Sequence, residues 1–153
     1  MVHNNSTSNF HGIASRKKPQ SAKGLTNEQI VLNDTAAALQ QNGKYREAIP
    51  LYEKALEINR SPILLANMGI SYEKLGQFEK ANSLYDEVLK IAPNHPEALY
   101  NKACCESLQG KTQEALDLLK EAINFDSEFK KMAIHDEAFY EIKDLDTFKL
   151  LTS

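Results

Sequence analysis

The residues in this chain that could do chemistry form four small groups. The first is "CESLQGKT", Cys105 to Thr112, which nearly spells the phosphate-cradling loop G-x-x-x-x-G-K-[ST]. That loop needs its first glycine so that backbone N–H groups can approach a phosphate, and a strand before it. Here Cys105 stands where the glycine belongs, and the stretch falls at the end of a predicted helix. A helix stop is the better reading. The second group is His95 with Cys104 and Cys105, but a zinc site needs thiols and imidazoles at a spacing this chain lacks. The third is His135 beside Asp136, a pair without the nucleophile motif that would make it catalytic. The fourth is "SRKKP", Ser15 to Pro19, whose bases could touch a nucleic acid or another anionic surface weakly. None of these amounts to an enzyme signature. No catalytic residue, cofactor, metal or small-molecule substrate is expected.

The totals agree with a binding role. The chain has 153 residues, 42% hydrophobic and 25% charged, enough apolar surface for one domain with a packed core. Its net charge of −3 weighs against a body that grips nucleic acid. The charge is uneven, however. Residues 1–24 hold Arg16, Lys17, Lys18 and Lys23 and no acid, so all twenty-one acids lie beyond them. This polar segment lacks helical or strand periodicity and is expected to be a disordered basic tail. Cys104 and Cys105 are adjacent, which disfavours a disulfide between them and suggests free thiols. With no apolar run of membrane-spanning length and no apolar signal segment, a cytoplasmic protein without membrane contact is expected.

The elements that position these residues come from a repeat. "GKYREAIPLYEKALEI", starting at Gly43, returns as "GQFEKANSLYDEVLKI" from Gly76 and "GKTQEALDLLKEAINF" from Gly110. The spacings are 33 and 34 residues, the period of stacked helical hairpins. Each glycine is followed by a small residue (Ala48, Ala81, Ala115), a large one (Tyr52, Tyr85, Leu119) and a second compact one (Ala55, Val88, Ala122). Small residues let helices cross closely, and the large one fills the gap toward the next hairpin. Helix starts are also legible: Thr26 with Gln29 as a capping box, Ser61 before Pro62, and Pro96.

This pattern resembles the tetratricopeptide repeat, over roughly residues 29–128. The aligned positions begin with Leu32, Leu65 and Leu99, and the middle unit adds Gly69, Tyr72 and Pro93. Ala36 and Ala103 replace the early glycine, Thr112 the turn aromatic, and Arg60 and Ser127 the closing proline. The closing stretch "HDEAFYEIKDLDTFKLLTS" looks like the tail that follows the last repeat in many prokaryotic members.

The resemblance implies an all-α, right-handed superhelix of three antiparallel helix-turn-helix repeats with a C-terminal helical cap. The units would be residues 29–61, 62–95 and 96–128, after a first ordered residue near 25, with the cap over 129–153. A short helix near 128–135 should lead into the cap. Phe139, Ile142, Phe148 and Leu151 should close the open apolar end, with Asp136 and Asp144 as helix caps.

It also implies a non-catalytic scaffold that binds a protein or peptide along the first helices of the units. The groove positions so mapped are Ile30, Asn33, Asp34, Ala37, Gln40 and Gln41, then Ile63, Ala66, Asn67, Ile70, Glu73 and Lys74, then Glu97, Tyr100, Asn101, Cys104 and Leu108. From these, Asn33, Ile63, Asn67, Ile70, Lys74, Tyr100, Asn101 and Cys104 are the expected partner contacts. Asn67 and Asn101 would pair with a partner's backbone. The family's carboxylate-gripping groove is not expected, because Asn33, Ala37, Asn67, Glu97 and Asn101 include no cation and Glu97 would repel a carboxylate. The alternative is a structural subunit that assembles through a solenoid end or the convex face, as a homo-oligomer or within a larger complex.

Overall fold

The computed structural model describes residues 24–153, so the expectation for the basic tail, Arg16, Lys17, Lys18 and Lys23 included, falls on residues outside the described ones. The described residues form α1 (Asn27–Gln41), α2 (Tyr45–Leu56), α3 (Pro62–Lys74), α4 (Phe78–Ile91), α5 (Pro96–Leu108), α6 (Thr112–Phe125), α7 (Glu128–His135), a 3-10 turn (Glu137–Phe139) and α8 (Asp146–Thr152). Among the described residues there is no strand. Among the described residues no helix is long and apolar enough to cross a membrane.

Local chemistry sets the helix ends. Thr26 Oγ1 accepts from the Gln29 N–H, and Gln29 Oε1 accepts from the Thr26 N–H, both at 3.1 Å, closing the expected capping box. Ser61 precedes α3 as expected, but its side chain makes no capping bond. At the hairpin turns Gly43, Gly76 and Gly110 have φ of 75°, 76° and 79°. In that left-handed conformation the next residue's N–H turns back onto the helix: Lys44 to Leu39 O, Gln77 to Tyr72 O and Lys111 to Glu106 O, at 2.8–2.9 Å.

The repeat's small and large residues are the core. Ala48, Ala81, Ala115, Tyr52, Tyr85, Leu119, Ala55, Val88 and Ala122 are all fully buried. Gly69 shows how close the helices come. A Cβ built there would lie 2.6 Å from a Tyr85 ring carbon, well inside contact distance. Units are also tied by polar bonds. Gln40 Nε2 donates to Asn67 O at 2.7 Å and to Ser71 Oγ at 2.8 Å, while Tyr52 OH donates to Gln40 Oε1 at 3.0 Å. Gln29 Nε2 donates to Ala55 O at 3.0 Å.

The C-terminal segment closes the far end. Phe129, Phe139, Ile142 and Phe148 are buried in one cluster with Leu99, Tyr100 and Leu119, and Leu151 packs at its edge. Phe139 and Phe148 rings lie 5.8 Å apart. Asp136 caps the 3-10 turn, its Oδ1 accepting from the Ala138 N–H at 3.0 Å. Asp144 does not do the same for α8. Leu145 holds that N-cap position without a side-chain bond, because α8 starts one residue later than the sequence pattern placed it.

Candidate peptide-binding groove

The first helices of the three hairpins lie side by side, α3 touching both α1 and α5. Asn33, Asn67 and Asn101 recur across them at 34-residue intervals. Asn67 Nδ2 donates to Asn33 Oδ1 at 2.9 Å, joining α3 to α1. Asn67 is 2% exposed and its Oδ1 has no hydrogen-bond partner. Asn101 is fully buried, and neither its Oδ1 nor its Nδ2 has one. A buried amide without partners costs about 1–3 kcal/mol, so such groups are rare unless something else completes them.

The remaining groove positions divide. Ile63 and Lys74 keep part of their surface, and Ile70 is buried. Gln40 is committed to the link between units described above, and Glu97 is 9% exposed with its Oε2 3.5 Å from His95 Nδ1.

Tyr100 and Cys104 are not free groove contacts. The Tyr100 ring is fully buried, stacked on Phe129 with ring centres 4.7 Å apart, and edge-on to Phe139 at 5.8 Å. Its hydroxyl donates to Asp136 Oδ2 at 2.8 Å, and the Cys104 thiol reaches the same oxygen at 3.7 Å. Ser107 Oγ donates to Ala138 O at 2.6 Å. The segment from Asp136 to Phe139 therefore returns over α5 and takes up the face that the family resemblance had assigned to a partner. Helix periodicity says which side a residue lies on, but not which later segment will cover it.

The other chemically suggestive groups also become structural. Burial pushes the Cys104 thiol well above its usual range, with the Asp136 and Glu73 charges adding to the shift. Burial does the same for Cys105, reinforced by Glu73. Both are protonated at neutral pH, unlike reactive or metal-binding thiolates. His95 caps α5, its Nδ1 accepting from the Ala98 N–H at 3.2 Å. His135 is exposed while its neighbour Asp136 is fully buried, so the two do not form a working pair. The stretch from Cys105 to Thr112 is a helix end, a glycine turn and a helix start.

Sequence profiles described as tetratricopeptide repeat match residues 30–61 and 60–128. This chain belongs to the tetratricopeptide repeat family. Among relatives, the photosystem I assembly protein Ycf3 of Acaryochloris marina is 34% identical over 92 residues, which span 58% of this chain and 55% of that protein. The chain thus covers little more than half of that relative's length. Among solved structures, the tetratricopeptide domain of Sgt2 from Aspergillus fumigatus matches with a TM-score of 0.66 at 21% identity, over 83% of this chain and 78% of that one. The first tetratricopeptide domain of Spaghetti (RPAP3), bound to the HSP90 peptide SRMEEVD, matches with a TM-score of 0.63 at 20% identity, over 72% of this chain and 95% of that one. These likenesses establish the repeat superhelix. The tetratricopeptide fold explains why α1, α3 and α5 form a continuous row.

What the sequence reading missed is the buried carboxylate pair beside this row. Glu73, 4% exposed, accepts from Tyr85 OH at 3.3 Å and from the Cys105 thiol at 3.6 Å. Asp136 serves Tyr100 and Cys104 in the same way. The only signal available was that each adjacent cysteine lies 32 residues from a carboxylate, and no periodicity rule singles that out.

Proposed function

We propose that this chain is a non-catalytic, cytoplasmic interaction module that holds an extended peptide along α1, α3 and α5. The observation that carries the reading is Asn101. Its buried amide offers a donor and an acceptor with nothing to pair to, on the helix face it shares with Glu97 four residues earlier. An extended backbone presents the complementary N–H and C=O groups, and Asn67 Oδ1 offers a second acceptor one helix away. Peptide binding by the Spaghetti domain supports a peptide as ligand class. Its acidic peptide is a poor guide to sequence, because Glu73 and Glu97 would repel it. The assembly alternative loses its most direct surface, since Phe129, Phe139 and Phe148 cover the third hairpin's end.

Panning a peptide-display library on the full chain tests this. Selected peptides should lose affinity by about 1–2 kcal/mol with Asn101→Ala and keep it with Lys120→Glu on the exposed side of α6. Peptides that bind the Asn101 variant equally well would refute the groove reading.

A further inference from the structure

The segment that covers the end of the third hairpin leaves a cleft beside it. The outer face of α6 forms one wall, Thr147, Leu150 and Leu151 of α8 the other, and the space between is about 710 Å³. Its floor is apolar, with Leu116 and Ile123 of α6. Leu150 stands at the rim 79% exposed, the most exposed large apolar residue among those described. A surface that carries both an apolar knob and an unfilled apolar hole can pair with itself about a twofold axis. The polar residues of the α6 wall decide what fits. Gln113, Asp117, Lys120 and Asn124 all line the cleft. At about 100° per residue they fall within an arc of about 60° on α6, a single stripe. The stripe is complementary to itself when reversed. Set antiparallel to a copy about a dyad midway between Asp117 and Lys120, it places each Asp117 opposite the other copy's Lys120. The same dyad places each Gln113 opposite the other copy's Asn124, because both pairs are centred on one point of the helix. Within one chain Gln113 Nε2 donates to Asp117 Oδ1 at 2.9 Å, which holds the carboxylate on this face.

We propose that a second copy of this chain docks on this cleft, α6 against α6 and antiparallel, to form a symmetric dimer. The twofold axis brings the apolar rows of both copies, Leu116 and Ile123, onto one side of the helix pair. There Leu150 of each copy fills the cleft of the other. Across the polar stripe, Asp117 meets Lys120 twice, and the Gln113 amide oxygen accepts from the other copy's Asn124. The cleft involves fewer residues than the about 20–30 a side of a standard interface, so association is expected at a Kd of about 10–100 μM. The dimer is independent of the peptide groove, because no residue of α1, α3 or α5 lines the cleft. It leaves two grooves on one particle. Where the groove reading holds, a partner with two copies of its motif gains avidity from that pairing.

Sedimentation equilibrium of the full chain from about 5 to about 500 μM tests this, a range that spans the expected Kd. The average mass of the unaltered chain should rise toward twice the monomer's. Asp117 and Lys120 are exposed, so Asp117→Lys and Lys120→Asp should leave the melting temperature nearly unchanged. Each substitution alone sets like charges opposite each other, and the dyad repeats the clash. Association should therefore weaken about tenfold or more. Mixed in equal amounts, the two variants should pair again, within about threefold of the unaltered chain's affinity, since one stripe then carries two bases and the other two acids. Leu150→Asp should likewise weaken association about tenfold or more in a chain that melts as before. A strictly monomeric unaltered chain overturns the proposal and leaves the cleft to a different protein. Single variants that associate as tightly as the unaltered chain overturn it too, and so does a mixture that associates no more tightly than either variant alone; both results place any dimer on another face.

Discussion

Replacing Tyr100 separates a ring that serves a ligand from a ring that holds the cap. Tyr100 is fully buried between Phe129 and Phe139, and its hydroxyl donates to buried Asp136 at 2.8 Å. Deleting a buried aromatic ring costs about 3–5 kcal/mol, so Tyr100→Ala should cost about 4 kcal/mol. Tyr100→Phe keeps the ring and removes one bond to a buried carboxylate, a loss of about 1.5–2 kcal/mol. For a chain of this size each kcal/mol moves the melting temperature by about 4 °C, which gives drops of about 15 °C and about 7 °C. Circular-dichroism melts and urea unfolding of the two variants measure both. A double-mutant cycle with Asp136→Asn should return a coupling of about 1–2 kcal/mol between the two side chains. A Tyr100→Ala chain that melts within about 4 °C of the unaltered protein would show that the ring is not core, and the account of the cap given above would fail.

Gly69→Ala should destabilise by about 1–3 kcal/mol in the same melts, because the new methyl would meet the fully buried Tyr85 ring at 2.6 Å. Asn101→Leu should hold or raise the melting temperature, by up to about 1 kcal/mol in stability, while display peptides lose affinity; it exchanges an unpartnered amide for an apolar group of similar size. Stability should fall as pH rises from neutral through about 8.5 and beyond. Burial raises the folded-state pKa of Cys104, Cys105, Tyr85 and Tyr100, so above the ordinary thiol and phenol values the unfolded chain releases protons that the folded chain keeps. Urea titrations from neutral to alkaline pH read that slope, and a flat profile would contradict it. Truncation after Asp126 should expose the cluster around Leu99, Tyr100 and Leu119 and cause aggregation or a broadened transition, seen by light scattering and thermal melts.

Much of the fold was legible because a repeat states its packing rules more than once. Gly43, Gly76 and Gly110 each mark a turn that needs positive φ, and each has it. Ala48, Tyr52 and Ala55 meet their counterparts in the other units at the same depth, because each hairpin solves the same close-crossing problem. The cap was legible for a different reason. An apolar face at the end of a solenoid needs cover, and Phe139, Ile142 and Phe148 were the apolar residues left to supply it. The misplaced cap at Asp144 is a smaller case. The sequence offered two acids near the start of α8, and nothing local decides that the chain turns at Leu145 instead.

The site was less legible, and the reason bears on how the groove works. The family resemblance assigns Tyr100 and Cys104 to the concave face. The segment from Asp136 to Ala138 then bonds to both, and also to Ser107. A contact between residues 31–36 positions apart follows from where the cap returns, which local pattern cannot reveal. The same return shapes what remains of the groove. With the Tyr100 side of α5 sealed, the proposed groove is left with the amides of Asn67 and Asn101 as its unpartnered polar groups. Asn101, unpartnered, sits on the same helix as those sealed residues. In the groove reading proposed above, Asn101 is therefore the last unpartnered amide before the cap.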